Sequence, residues 1–254
     1  MGWLSRLFSP RTPLIDAVEY KRAVARLPLL YGLSSSEKAM LQKLASQFMH
    51  TKHFTLAGGA TNTRATELAV ALQASLLILQ LDERSYQGWR EIVLYPDAFI
   101  RPQAQTDIAG VVHHSHEILS GEAWHRGPII LSVADVLGSG QANGNNVVLH
   151  EFAHKLDMLN GIADGFPPLH RGMSSVTWER DFSAAFADFT QRVDANESTS
   201  INAYGATNPA EFFAVLTEVF FETPSVLHQR YPKVYAQLQQ FYRQDPLLRL
   251  GASR

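Results

Sequence analysis

"VVLHEFAHKLDMLNG", residues 147–161, sets His150 and His154 four apart, with Glu151 beside the first. In a helix that spacing puts both imidazoles on one face, one turn apart, within reach of a single ion. Asn145 or Asn146 would cap the helix, and Gly161 lies just past its end. Leu149, Phe152, Ala153 and Leu156 form a separate apolar stripe that would pack against a core. The stretch therefore predicts a helix with a binding face and a packing face. In HExxH patterns the glutamate takes a proton from the attacking water and passes it to the leaving amine.

Two histidines do not complete a catalytic metal site, which needs a third protein ligand and an open position. The HExxHxxGxxH route is closed, because Asp157 stands in place of its glycine and Asn160 in place of its third histidine. A glutamate from a later helix is the alternative, and the run Asn208-Pro209-Ala210-Glu211-Phe212-Phe213-Ala214 offers Glu211. Asn208-x-x-Glu211 also fits a capping arrangement, in which Glu211 would serve only its own helix end. Glu218 and Glu222 compete for the ligand role. Asp157, three residues after His154, is placed either to orient an imidazole or to lie exposed. For Arg126 and Lys155 nothing in the sequence separates a site contact from solvation.

The chain has 254 residues and no cysteine. Disulfide frameworks, thiolate metal sites and cysteine nucleophiles are excluded, leaving histidine and carboxylate as the strong metal ligands. A formal net charge of -2 without a local basic run argues against direct nucleic-acid binding. Residues 1–8 lack the layout of a signal peptide, and the apolar run at 76–81 is too short to span a bilayer. These features predict a soluble cytoplasmic protein with no membrane partner.

Residues 1–13 read as an irregular lead-in. Ser34-x-x-Glu37 is a capping-box signal for a helix near 35–50, and a second helix follows from about 64 to 80. Glu91–Tyr95 reads as a strand. A hairpin is expected from 108–118 through a turn at 120–122 to a return strand at 127–133, where Pro128 argues for a sheet edge. Gly138–Asn146 reads as a loop. Helices then follow around Trp178–Val193, from Asn208-Pro209 to about Glu222, and after Pro232. The expected fold is one α+β domain over 1–254, with a small mixed sheet and a mainly helical C-terminal half.

"HEFAHKLD", "INAYGATNPAEFFAVLTEVFF", "GEAWHRGPIILS" and "FYRQDPLLRL" together resemble the Mlc titration factor A family of bacterial zinc metallopeptidases, also called DgsA anti-repressors. The likeness extends from about residue 30 to 250. It implies a zincin-like fold of gluzincin type, with one Zn2+ held by His150, His154 and Glu211 and with Glu151 as base. Tyr204, seven residues ahead of Glu211, also resembles a tyrosine of the anthrax lethal factor protease domain. That likeness makes Tyr204 a candidate donor to the developing oxyanion, against the alternative that it packs beneath a helix cap.

The resemblance points further to His113, in "GVVH" ahead of "SGEAW", as an additional zinc ligand that would close the open position. The alternative for His113, His114 and His116 is a solvated strand end, and His125 reads as a plain surface residue. In function, the resemblance implies an aminopeptidase-like activity on peptides. It also implies binding of the repressor Mlc (DgsA), which lifts repression of the glucose phosphotransferase gene. A regulatory binding module with a structural zinc is the competing reading, and a zinc hydrolase of non-peptide amides is a weaker one. Glu151 favours an enzyme, since a purely structural site has no use for a base.

Overall fold

The computed structural model describes residues 14–61, 63–96, 105–106, 112–113 and 127–251. The expected lead-in at 1–13, the turn at 120–122 and the side chains of His113, His114, His116, His125 and Arg126 lie outside the described residues. Among the described residues the first helices are α1 (Ala17–Val24), which is not among the expected elements, and α2 (Ser35–Thr51). The predicted capping box is present at the start of α2: Ser34 accepts from the Glu37 backbone, and the Glu37 carboxylate accepts from the Ser34 backbone. Next come β1 (His53–Leu56), α3 (Arg64–Leu77) and β2 (Glu91–Tyr95), the last with its predicted bounds. α3 is buried along most of its length, in keeping with its lack of a polar face.

Two-residue strands β3 (Gln105–Thr106) and β4 (Val112–His113) pair antiparallel with each other. They are followed by β5 (Ile129–Ser132) and α4 (Val133–Gly138). The three-stranded sheet has the order β1-β2-β5, and both of its pairings are parallel. Among the described residues the strands form a parallel sheet and a separate antiparallel pair, and 129–132 pairs with β2. The hairpin expected with 108–118 lies largely outside the described residues. The connections account for the parallel pairing. α3 carries the chain back between β1 and β2, as a parallel pair requires, and Ser132 caps α4 so that the chain leaves β5 directly into a helix. Among the described strands β5 ends the order, in keeping with the edge position expected from Pro128.

The remaining elements are helical: α5 (Val147–Asp157), α6 (Ser175–Asp194), α7 (Pro209–Glu222), α8 (Pro224–Arg230), α9 (Pro232–Tyr242) and α10 (Pro246–Gly251). None of the described helices is long and apolar enough to cross a membrane. The apolar stripe of α5 packs as its spacing predicts: Leu149, Phe152, Ala153 and Leu156 are buried, and the Phe152 ring meets Phe48, Tyr86 and Trp89. α7 is held from its other side by an aromatic cluster. Trp178 stacks on Phe182 at 4.2 Å, and Phe213 and Phe241 close around them. Such rings bury large areas and fix their neighbours by shape. The α+β architecture thus sets α5 between the sheet side and α7.

Lys52, at the junction of α2 and β1, is buried under this arrangement. Its Nζ donates to the carbonyls of Tyr86 at 2.5 Å and Trp89 at 2.7 Å and lies over the Trp89 ring. Burial, reinforced by the charges of Lys155 and Arg90, lowers its pKa from 10.5 to about 8. Between those values the unfolded chain binds the extra proton, so stability rises with pH across this window and is lost again as pH falls through about 8. Urea midpoints should climb from pH 8 to 10 in the unaltered protein and climb less in Lys52→Met. An identical climb in both would place the effect elsewhere.

Candidate metal centre

The site is built by two capped helices. Asn146 caps α5, its Oδ1 accepting from the Leu149 backbone at 2.9 Å, and Gly161 ends the stretch in a left-handed turn at φ 114. Asn208 caps α7, with Pro209 at the first helical position. The Asn208 side chain takes its hydrogen bond from the Glu211 backbone N–H at 3.0 Å. The cap therefore uses the main chain of Glu211, and the carboxylate reaches the histidines. Glu211 Oε2 lies 2.9 Å from His150 Nε2 and 3.4 Å from His154 Nε2, and the two Nε2 atoms are 3.2 Å apart. Candidate ligand atoms of these three residues all fall within 4.8 Å of one another.

This donor set suits a divalent transition metal. The hydrogen bonding tests the fit. His150 Nδ1 is 2.7 Å from Glu218 Oε1, and a neutral imidazole that donates there turns the lone pair of Nε2 toward Glu211 and His154. Acceptors then crowd one point, and a cation satisfies them. The electrostatics point the same way. Burial works against a charged His150, yet its hydrogen bonds to Glu211 and Glu218 outweigh burial and push its pKa up to about 10. Burial likewise works against a charged Glu211, but His150 and His154 hold its carboxyl well below the usual range.

Tyr204 stands in a short 3-10 turn, Ala203–Ala206, and its backbone N–H donates to the side chain of Asn202 at 3.0 Å. Its ring centroid lies 6.0 Å from that of His150, so the tyrosine borders the site. Glu151 is half-buried on α5, next to His150. Glu222, a competing ligand in the sequence, points elsewhere: its carboxylate accepts from Asn146 Nδ2 at 2.6 Å and from the Asn143 backbone at 3.1 Å. Of the two placements open to Asp157, exposure is ruled out. Its side chain is buried, accepts from the Gly165 backbone at 2.8 Å, and has its pKa pushed up to about 7 by burial. Lys155 is buried too and donates to the Gly127 carbonyl at 2.8 Å, tying α5 to the start of the edge strand. His113 belongs to β4, and its side chain lies outside the described residues.

The sequence gives Glu218 and Glu222 as competing ligands and Asn146 as a cap, but not that they join Gln73 in a buried polar layer behind His150. A signal was available. Glu211, Glu218 and Glu222 are spaced seven and four apart, which sets all three on one face of a helix.

A family model described as glucose-regulated metallo-peptidase M90 matches residues 6–243. Mlc titration factor A of Yersinia pestis strain Pestoides F is 37% identical over 251 residues, covering 98% of this chain and 92% of the relative. The protein of the same name from Yersinia pseudotuberculosis serotype O:1b is equally similar over the same span.

If the three converging residues hold a metal, protein dialysed free of metal and titrated with zinc should bind one equivalent. His154→Ala and Glu211→Ala should each weaken binding by more than about 100-fold, beyond the range typical of outer partners. Glu222→Gln should keep the metal. Loss of zinc from Glu222→Gln but not from Glu211→Ala would reverse the choice of ligand.

Proposed function

This chain belongs to the glucose-regulated metallopeptidase M90 family, and from that premise we propose that it is a zinc-dependent peptidase, aminopeptidase-like in its choice of bond. The observation that carries this reading is the convergence of His150 Nε2, His154 Nε2 and Glu211 Oε2, with Glu151 beside them on α5. His150, His154 and Glu211 would hold the zinc. When bound, zinc supplies Lewis-acid polarisation of the attacking water and of the scissile carbonyl.

The remaining steps fall to the chain itself. The Glu151 carboxylate takes one proton from the water as oxygen attacks the carbonyl carbon, and returns it to the nitrogen as the C–N bond breaks. Tyr204, bordering His150, donates its O–H toward the carbonyl oxygen as negative charge builds there. The substrate backbone pairs along β5, the edge of the described sheet, with side-chain choice left to neighbouring loops. At rest His113 would be an additional ligand in the position the water needs, and substrate or a partner would displace it. Cobalt spectra that are unchanged in His113→Ala would remove it from the ligand set. The chain acts as a single domain, in keeping with one continuous cluster of buried apolar residues.

A second reading concerns partners and is favoured by the printed name of the relatives, Mlc titration factor A. Here the chain binds the repressor Mlc in the cytoplasm. A net charge of -2 fits capture of a protein better than competition for its DNA. The alternative to an enzyme is a binding module whose zinc is structural.

Glu151→Gln should retain zinc and lose about 10²–10⁴-fold in hydrolysis of a peptide library. Full activity in that variant would remove Glu151 as the base. Immobilised chain, unaltered and as His150→Ala, should capture purified Mlc equally if binding is separate from catalysis. No capture by the unaltered chain would sink the partner reading.

A further inference from the structure

We infer that Glu218 is a positioning residue for the metal centre: its carboxylate decides which nitrogen of His150 faces the metal. This rests on the zinc-site reading above and adds a residue to it.

One helix face brackets the imidazole. Glu211 meets His150 Nε2 at 2.9 Å, and Glu218, two turns further along α7, meets Nδ1 at 2.7 Å from the opposite side. Glu218 and His150 are 6% and 4% exposed, so water does not compete for these bonds. The second oxygen of Glu218 accepts the backbone N–H of Asn146. In a capping box that N–H is taken by a glutamate at the third helical position. Here Leu149 occupies the position, and a carboxylate from α7 takes over.

Asn146 is itself immobilised. Its Oδ1 accepts from Leu149, and its Nδ2 donates to Gln73 Oε1 at 2.7 Å and Glu222 Oε1 at 2.6 Å. Both oxygens of Glu218 are therefore aimed at donors that cannot turn away. The Asn146 N–H is permanent, so Oε2 is committed. Oε1 then demands a proton on Nδ1, and the lone pair of His150 must sit on Nε2, facing Glu211 and His154. The opposite tautomer would oppose two acceptors at 2.7 Å.

An amide of the same shape cannot do this. A glutamine at the position offers one acceptor and one donor, and in either orientation its NH2 opposes the Asn146 N–H or the Nδ1–H. The available relief is for His150 to move its proton to Nε2, which covers the lone pair that the metal needs. Glu218→Gln thus separates positioning from helix capping. A capping role alone would lower stability and leave metal affinity in place.

The test uses the full chain loaded with zinc, with proton–nitrogen NMR of the histidine rings and zinc affinity from chelator competition. In the unaltered protein, Nδ1 of His150 should carry a strongly deshielded, slowly exchanging proton while Nε2 is bound to zinc. In Glu218→Gln that resonance should vanish and zinc affinity should fall by about 10–100-fold. The inference is overturned if Nδ1 proves unprotonated or is itself the zinc-bound nitrogen, or if the variant binds zinc within about twofold of the unaltered chain. Should the variant not fold, the spectrum of the unaltered protein decides alone. Failure of the unaltered chain to bind zinc would instead overturn the metal-centre reading, and this inference with it.

Discussion

The packing of α5 against α7 is the constraint on which the rest of the structure depends. α7 runs opposite to α5, so that Glu211 lies by His150 and His154, Glu218 by His150 and the cap, and Glu222 by Asn146 and the loop before it. Three carboxylates on one helix face are thereby matched, level by level, to donors on the facing helix and its approach. A rotation or slip of either helix by one residue would break every pairing together.

The energetic logic follows from burial. A carboxylate taken out of water without partners is strongly disfavoured, and the same is true of a polar side chain such as Asn146. Here the layer of Glu218, Asn146, Gln73 and Glu222 is hydrogen-bonded to itself and to backbone N–H groups. Burial raises the pKa of Glu222 despite those bonds, a sign that desolvation outweighs the pairing there. The aromatic packing outside α7 and the Phe48–Tyr86–Trp89 pocket around Phe152 hold the two helices in place. Apolar burial supplies the stability, and the polar layer specifies the register.

Much of the local structure was legible. The capping box at Ser34, the strand at Glu91–Tyr95, the HExxH helix with its Asn146 cap and the start of α7 at Pro209 follow from patterns within a few residues of one another. β1 and α8 were not singled out. β1 is four residues long and mostly exposed, so its His-Phe-Thr-Leu alternation is too short to mark a strand, and α8 is a single seven-residue segment that begins at one proline and ends just before another. The pairing of β5 with β2 was not legible either, because it joins strands far apart in the sequence. Pairing across a sheet is decided by the three-dimensional route of the chain, which local periodicity does not report.

By itself the sequence determined that His150 and His154 share a helix face, that Glu151 stands between binding and packing faces, and that a third ligand had to come from far along the chain. It left Glu211, Glu218 and Glu222 in competition, because all three satisfy the same helical spacing. Only the tertiary structure divided their roles. The axial offset between α5 and α7 brings Glu211 to the Nε2 side of His150, Glu218 to the Nδ1 side, and Glu222 to the cap. That offset is fixed by the packing of distant side chains, so no spacing within either helix could have revealed it.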